Sequence, residues 1–190
     1  HPGLLAFSGV VGGLALVQKS PALFLLPYTG LVLAAHACQR GLNRRRVLRA
    51  VRCLAIWAAV AGAAYVAVWP AMWTDPAGTL SRVADKAIGY AEEGHDPGNY
   101  FLGQPVQDPG WGYYPVALVY RLSPVVGLGV IAALIQLLWP GDSPSRRFEL
   151  YALLAYSVLF STAMSLGAKK FDRYLLPVFP ALSAVAGVGF

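Results

Sequence analysis

Six stretches of the chain are predominantly apolar, at residues 3–17, 21–38, 51–70, 122–139, 149–166 and 174–190, and charged or turn-forming residues bound each of them. A helix needs on the order of 20 apolar residues to cross roughly 30 Å of hydrocarbon, so runs of this length predict membrane helices. The pattern therefore reads as an all-α polytopic transmembrane bundle of about six helices. Residues 1–190 form part of one transmembrane domain. The chain opens and closes within apolar sequence, at His1 and Phe190, and is expected to be a fragment lacking N- and C-terminal parts of a longer protein.

The polar segments orient the runs. Arg40, Arg44, Arg45, Arg46, Arg49 and Arg52 fall between the second and third runs, and a short loop this rich in arginine stays in the cytoplasm. Alternation then puts 40–52 and 140–147, the latter carrying Arg146 and Arg147, on the cytoplasmic side of the cytoplasmic (inner) membrane. Residues 71–121 and 167–174 fall on the extracytoplasmic side. The long outer loop carries Asp75, Asp85, Glu92, Glu93, Asp96 and Asp108 against Arg82 and Lys86, the reverse of the arginine loop.

Within that loop, Asp75-Pro76 has the form of an N-cap followed by proline at the first helical position. Leu80, Val83, Ala84, Ala87, Ile88 and Ala91 then recur at helical spacing. This predicts an amphipathic interfacial helix ending at Glu92-Glu93-Gly94. Residues 95–110 are turn-rich and too polar to cross lipid. A second interfacial element, dense in aromatics, runs from Trp111 to Tyr120, and Ser123-Pro124 opens the fourth run.

Composition sharpens the picture. The chain is 57% hydrophobic and 13% charged, with mean hydropathy +0.54, whereas a soluble domain is nearer half apolar and a quarter charged. A net charge of +6 could suggest nucleic acid, but the cations cluster at the ends of apolar runs and do not interleave with exposed aromatics, so no nucleic-acid partner is expected. Cys38 and Cys53 flank the arginine loop with no CxxC and no histidine at metal spacing, which argues against a zinc or redox site. The glycines at 9, 12, 13, 127 and 129 suit close helix packing.

Candidate chemistry centres on Lys169-Lys170-Phe171-Asp172-Arg173-Tyr174, followed by Leu175-Leu176-Pro177-Val178-Phe179-Pro180. Its cations lie where the positive-inside bias disfavours them. Two readings compete: the side chains snorkel to lipid headgroups, or ammonium and guanidinium donors hold an anion, most simply a lipid phosphate. Lys19, a further cation on the outer side, favours the second. Pro177 and Pro180 keep the start of the last run irregular and free backbone groups there. Elsewhere, Glu92, Glu93, His95 and Asp96 form the densest titratable cluster. It is either a hydrated helix end or, through Glu93, His95 and Asp96, a site for a divalent metal ion or for an acceptor.

Several segments together carry a resemblance. They are Gly9 to Pro21 with Gln18-Lys19-Ser20, Trp69-Pro70-Ala71-Met72-Trp73, Tyr113-Tyr114-Pro115-Val116-Ala117-Leu118, and Lys170-Phe171-Asp172-Arg173-Tyr174-Leu175-Leu176-Pro177-Val178-Phe179-Pro180. The chain resembles the middle and later part of bacterial polyprenyl-phosphate-dependent glycosyltransferases of the GT-C type, relatives of protein O-mannosyltransferases and lipid A aminoarabinose transferases. The most specific pieces are the Lys19 turn and Arg173-Tyr174-Leu175-Leu176-Pro177.

The resemblance implies a membrane enzyme of the cell envelope that moves a sugar from a polyprenyl-phosphate donor to an acceptor hydroxyl on a lipid, glycan or protein, outside the cytoplasmic membrane. Lys19 and Arg173 correspond best to the family's lipid-phosphate contacts, Lys169 and Lys170 less closely, and Arg121 more weakly. The reaction is an inverting displacement in which an acid takes the acceptor proton and cations stabilise the departing phosphate. That acid belongs to an outer loop upstream of His1, so no catalytic residue is expected in this chain. The competing expectations are a non-catalytic membrane scaffold and a transporter. The concentration of charge at helix ends weakens the second.

Overall fold

The structure, a computed structural model, describes residues 2–39, 41–92, 98–139, 143–167 and 170–190, with the backbone alone at 90–92. The chain divides into two compact units, 1–87 and 88–190.

In the first unit, α1 (Pro2–Gln18) is followed by a 3-10 turn at Ser20–Phe24, α2 (Leu25–Gln39), α3 (Arg44–Val68), α4 (Ala71–Thr74) and α5 (Pro76–Glu92), within which the unit boundary falls. Glycines let α1 lie directly on α3. A Cβ on Gly9 would come 3.0 Å from Val60, one on Gly12 would reach the Trp57 ring at 2.6 Å, and one on Gly13 would run into the Ala61 carbonyl. Small residues at such a seam let two backbones approach and gain dispersion contacts that lipid cannot offer. Trp57 and Ala61 are buried there.

Beyond α3 the chain turns back on itself. Trp73 donates from Nε1 to the Val66 carbonyl at 2.7 Å, and the Tyr65 and Trp69 rings meet edge to face at 5.1 Å. The start of α5 follows the capping pattern read from Asp75-Pro76. The Asp75 carboxylate accepts the Gly78 N–H at 2.9 Å and an Arg82 guanidinium hydrogen at 3.2 Å.

In the second unit, a hairpin of β1 (Asn99–Phe101) and β2 (Gln104–Val106) precedes α6 (Tyr113–Arg121), α7 (Pro124–Leu138), α8 (Pro144–Leu166), a 3-10 turn at Asp172–Leu175 and α9 (Val178–Gly189). Asn99 pairs with Val106 and Phe101 with Gln104, antiparallel. The hairpin is an addition to the turn-rich loop expected from sequence. Leu102 (φ 50) and Gly103 (φ 86) both adopt left-handed backbone at its tip, the geometry a two-residue hairpin turn requires.

Helices α7, α8 and α9 enclose the core, in which Ala133, Leu137, Leu150 and Val185 are buried. Gly129 faces Ala186, where an added Cβ would lie at 2.7 Å. The arginine pair at the start of α8 serves as a cap for its neighbours. Arg147 donates to the carbonyls of Leu137 at 2.7 Å and Trp139 at 2.9 Å, and Arg146 donates to Val188 at 3.1 Å. These contacts put the C-terminal ends of α7 and α9 beside the N-terminal end of α8, so α8 runs opposite to both. The carbonyls left open at the two helix ends are thereby satisfied by positive charge.

Among the described residues, three helical stretches are long and apolar enough to cross a membrane, Ser20–Gln39, Arg44–Val68 and Pro144–Leu166. A fourth is added if α6 and α7, bent by 111° at residues 122–123, count as one span. The protein is an all-α membrane protein by this criterion. The six spans expected from the apolar runs are not all reached: α1 and α9 are apolar but shorter. In the last run, the 3-10 turn and Pro177 delay the helix until Val178, which removes about a turn of length. Leu4, Phe7, Leu23, Leu26, Leu31 and Val158 are exposed, as lipid-facing positions are.

Candidate functional site

The functional chemistry described in the second unit gathers around the 3-10 turn Asp172–Leu175, which takes in the last three residues of the charged hexapeptide. Leu175 is fully buried and anchors the turn. Asp172 accepts the Arg173 N–H on Oδ1 at 2.7 Å and pairs through Oδ2 with the Arg121 guanidinium at the end of α6. Tyr114, the innermost side chain of α6, is buried.

Lys170 points inward. Its side chain is 3% exposed, and Nζ donates to Asp108 Oδ1 at 2.7 Å and to the Gly167 carbonyl at 3.1 Å. A buried ammonium of this kind requires partners, because desolvation of an unpaired charge costs several kcal/mol. Asp108 meanwhile accepts the Gly110 N–H at 2.9 Å, closing a turn whose glycine has φ 67. The Lys170 hydrogen bond, reinforced by the Gly110 N–H, holds the Asp108 carboxyl below its usual range against a smaller opposing effect of burial. Lys170 is thus a strut between residues 107–110 and the start of the hexapeptide.

Arg173 is set differently. Its guanidinium carbon stands 4.4 Å from the centre of the Phe171 ring, a cation–π arrangement that fixes the group without neutralising it. The side chain is exposed, and among the described residues no carboxylate pairs with it. Phe171 is itself braced edge to face by Tyr174 at 5.6 Å.

Beside Asp172 lies an open cleft of about 520 Å³. Tyr113, Val116, Ala117, Tyr120 and Arg121 form one wall, at positions i, i+3, i+4, i+7 and i+8 of α6, which is a single helical face. The hairpin tip, Tyr100 to Gly103, forms another wall. Phe101 braces Tyr113 with ring centres 5.7 Å apart.

The remaining candidates fall elsewhere. Lys19 belongs to the first unit, where it is exposed in extended backbone (φ −165) ahead of the 3-10 turn and its carbonyl accepts the Ala22 N–H at 3.0 Å. Lys169, Glu93, His95 and Asp96 lie outside the described residues. Among the described residues no three His, Cys, Asp or Glu side chains come together as a metal site would need. Sequence reasoning did not pair Asp108 with Lys170 or Asp172 with Arg121, and it did not find the cleft. The periodic face of α6 was a signal for the cleft; the Lys170–Asp108 pair joins residues 62 apart and had none.

Comparison with protein-family models, with curated proteins and with solved structures finds no match for this chain, so the candidate site rests on its own geometry.

Proposed function

We propose that the chain is part of a membrane glycosyltransferase that moves a sugar from a polyprenyl phosphate to an acceptor hydroxyl, with Arg173 holding the phosphate on the extracytoplasmic side. The observation that carries this reading is Arg173. It is an exposed guanidinium fixed over Phe171, with no carboxylate partner among the described residues, on a turn between two apolar helices. Its neighbours Lys170 and Arg121 each face an aspartate. A guanidinium held in this way is suited to bidentate contact with phosphate oxygens, and preorganised positive charge at a leaving phosphate stabilises the charge that develops there. On this reading α5, with Leu80 and Ile88 exposed, lies at the outer surface of the membrane, and no carboxylate of this chain takes the acceptor's proton.

The test is sugar transfer from a polyprenyl-phosphate donor by the full-length protein in lipid vesicles. Arg173→Ala is expected to lower the rate about 100-fold, the scale of losing one preorganised stabilising donor, with expression and thermal unfolding unchanged. Wild-type transfer by Arg173→Ala sinks the proposal.

A further inference from the structure

Resting on that reading, we infer that the cleft between the hairpin tip and α6 is a subsite for a pyranose ring. Its walls offer what such a ring requires. Tyr100 and Tyr120 are largely exposed, so their faces are available to the C–H side of a sugar, which buries apolar surface against an aromatic ring. Tyr113 is held in place by Phe101 at 5.7 Å and by Tyr114 at 5.2 Å, a rigid platform that loses little entropy on binding.

The polar edge of the cleft is the Arg121–Asp172 pair. A carboxylate accepts from neighbouring hydroxyls and a guanidinium donates to ring or phosphate oxygens. The two groups satisfy one another while the cleft is empty. Because their side chains are 63% and 33% exposed, the pair is held only weakly and can share its hydrogen bonds with a ligand. A volume of about 520 Å³ falls within the roughly 300–1,000 Å³ of small-molecule sites. Leu102 and Gly103 of the hairpin tip line the opening.

The ring can come from either side of the reaction, the donor's sugar or the acceptor's. Saturation-transfer NMR on the full-length protein in nanodiscs, with methyl pyranosides of glucose, mannose and galactose and with the corresponding glycosyl phosphates as probes, reads binding directly. The expected result is saturation of ring protons for at least one sugar, with affinity reduced about tenfold by Tyr113→Ala or Tyr120→Ala and retained by Tyr113→Phe. Asp172→Asn should weaken binding of both probe classes. Loss on Arg121→Gln confined to glycosyl phosphates assigns the ring to the donor, and equal loss for both classes assigns it to the acceptor.

The inference is overturned if no sugar signal depends on these side chains, or if cyclohexanol displaces the sugars at equal concentration, as a plain apolar cleft would allow. The two proposals fail separately. Sugar signals unaffected by these variants, in a protein whose transfer still requires Arg173, remove the subsite alone. Cleft-dependent sugar binding alongside normal transfer by Arg173→Ala removes the phosphate site alone.

Discussion

Arg44, Arg45, Arg46, Arg49 and Arg52 at the head of α3 bear the same charge as Arg121, Lys170 and Arg173, yet the two groups are set in different surroundings. All five arginines are exposed. Among the described residues none has a carboxylate partner, and only Arg46 makes a side-chain hydrogen bond, to the Gly41 carbonyl at 2.7 Å. They also crowd the positive end of the α3 dipole, where cations are locally unfavourable. Exposed cations at such a helix end are suited to anionic lipid headgroups. Around the 172–175 turn, by contrast, Lys170 has Asp108, Arg121 has Asp172, and Arg173 has the face of Phe171. Among the described residues the first group has no acidic side chain beside it, whereas each cation of the second is held by a neighbouring side chain, an aspartate or an aromatic ring.

The strongest way to break this contrast is to neutralise the first group. Each basic residue near an anionic membrane surface is worth about 1 kcal/mol, so changing all five arginines to glutamine is expected to remove most of the orientational bias. Cys38 is exposed at the other flank of the loop and reports the side it occupies. In a Cys53→Ser background, a membrane-impermeant maleimide is expected to label Cys38 in intact cells only after the neutralisation. Thermal unfolding should shift little, since isolated surface substitutions stay within about 0.5 kcal/mol each. Identical labelling before and after would mean that the arginines do not orient the chain.

The next effect belongs to the second group. Asp108→Ala strands the Lys170 ammonium inside the protein. Breaking a fully buried pair costs about 3–5 kcal/mol, but Asp108 is 59% exposed, so water partly replaces it and about 2 kcal/mol is expected. Adding Lys170→Met should recover most of the loss, because the uncompensated charge is then gone. The pH dependence follows from the lowered Asp108 pKa. A carboxyl whose folded pKa is depressed contributes its stability above the ordinary value of 3.8 and loses it as pH falls through the lower folded value. Thermal unfolding in detergent should therefore show the Asp108-dependent difference at neutral pH and its disappearance only in strong acid. A difference that vanished near neutrality would contradict the assignment.

How much of this was legible depends on the range of the interaction. The capping of α5 by Asp75, the proline-led start of α7, and the glycine seam of α1 on α3 are local or periodic signals, and the chain displays them directly. The membrane character follows from composition. The number of spans was less legible, because hydropathy marks apolar length without marking where Pro177 and the preceding turn delay a helix. The site was the least legible. The hexapeptide stood out as a cluster of like charges, but which cation turns inward is decided by Asp108 and Asp172, whose partners are 62 and 51 residues away. Sequence spacing has no access to such pairings.

The smallest effect is also the most diagnostic, because it compares two aspartate–cation pairs of the same unit. The Arg121–Asp172 pair has side chains 63% and 33% exposed, so its Coulomb attraction is screened by water and by salt. Arg121→Gln is expected to lower stability by less than about 1 kcal/mol, and raising the salt to about 1 M should abolish even that difference. Asp172→Asn should cost slightly more, because the Asp172 carboxylate also accepts the Arg173 N–H at 2.7 Å and orders the turn. The Asp108→Ala loss should depend less on salt, since the Lys170 side chain is only 3% exposed. Should Arg121→Gln prove as damaging and as salt-resistant as Asp108→Ala, the cleft's ion pair would be a structural clamp, unavailable for sharing with any ligand. A small, salt-sensitive cost leaves Arg121 and Asp172 as groups whose main energetic consequence arises when something else occupies the cleft.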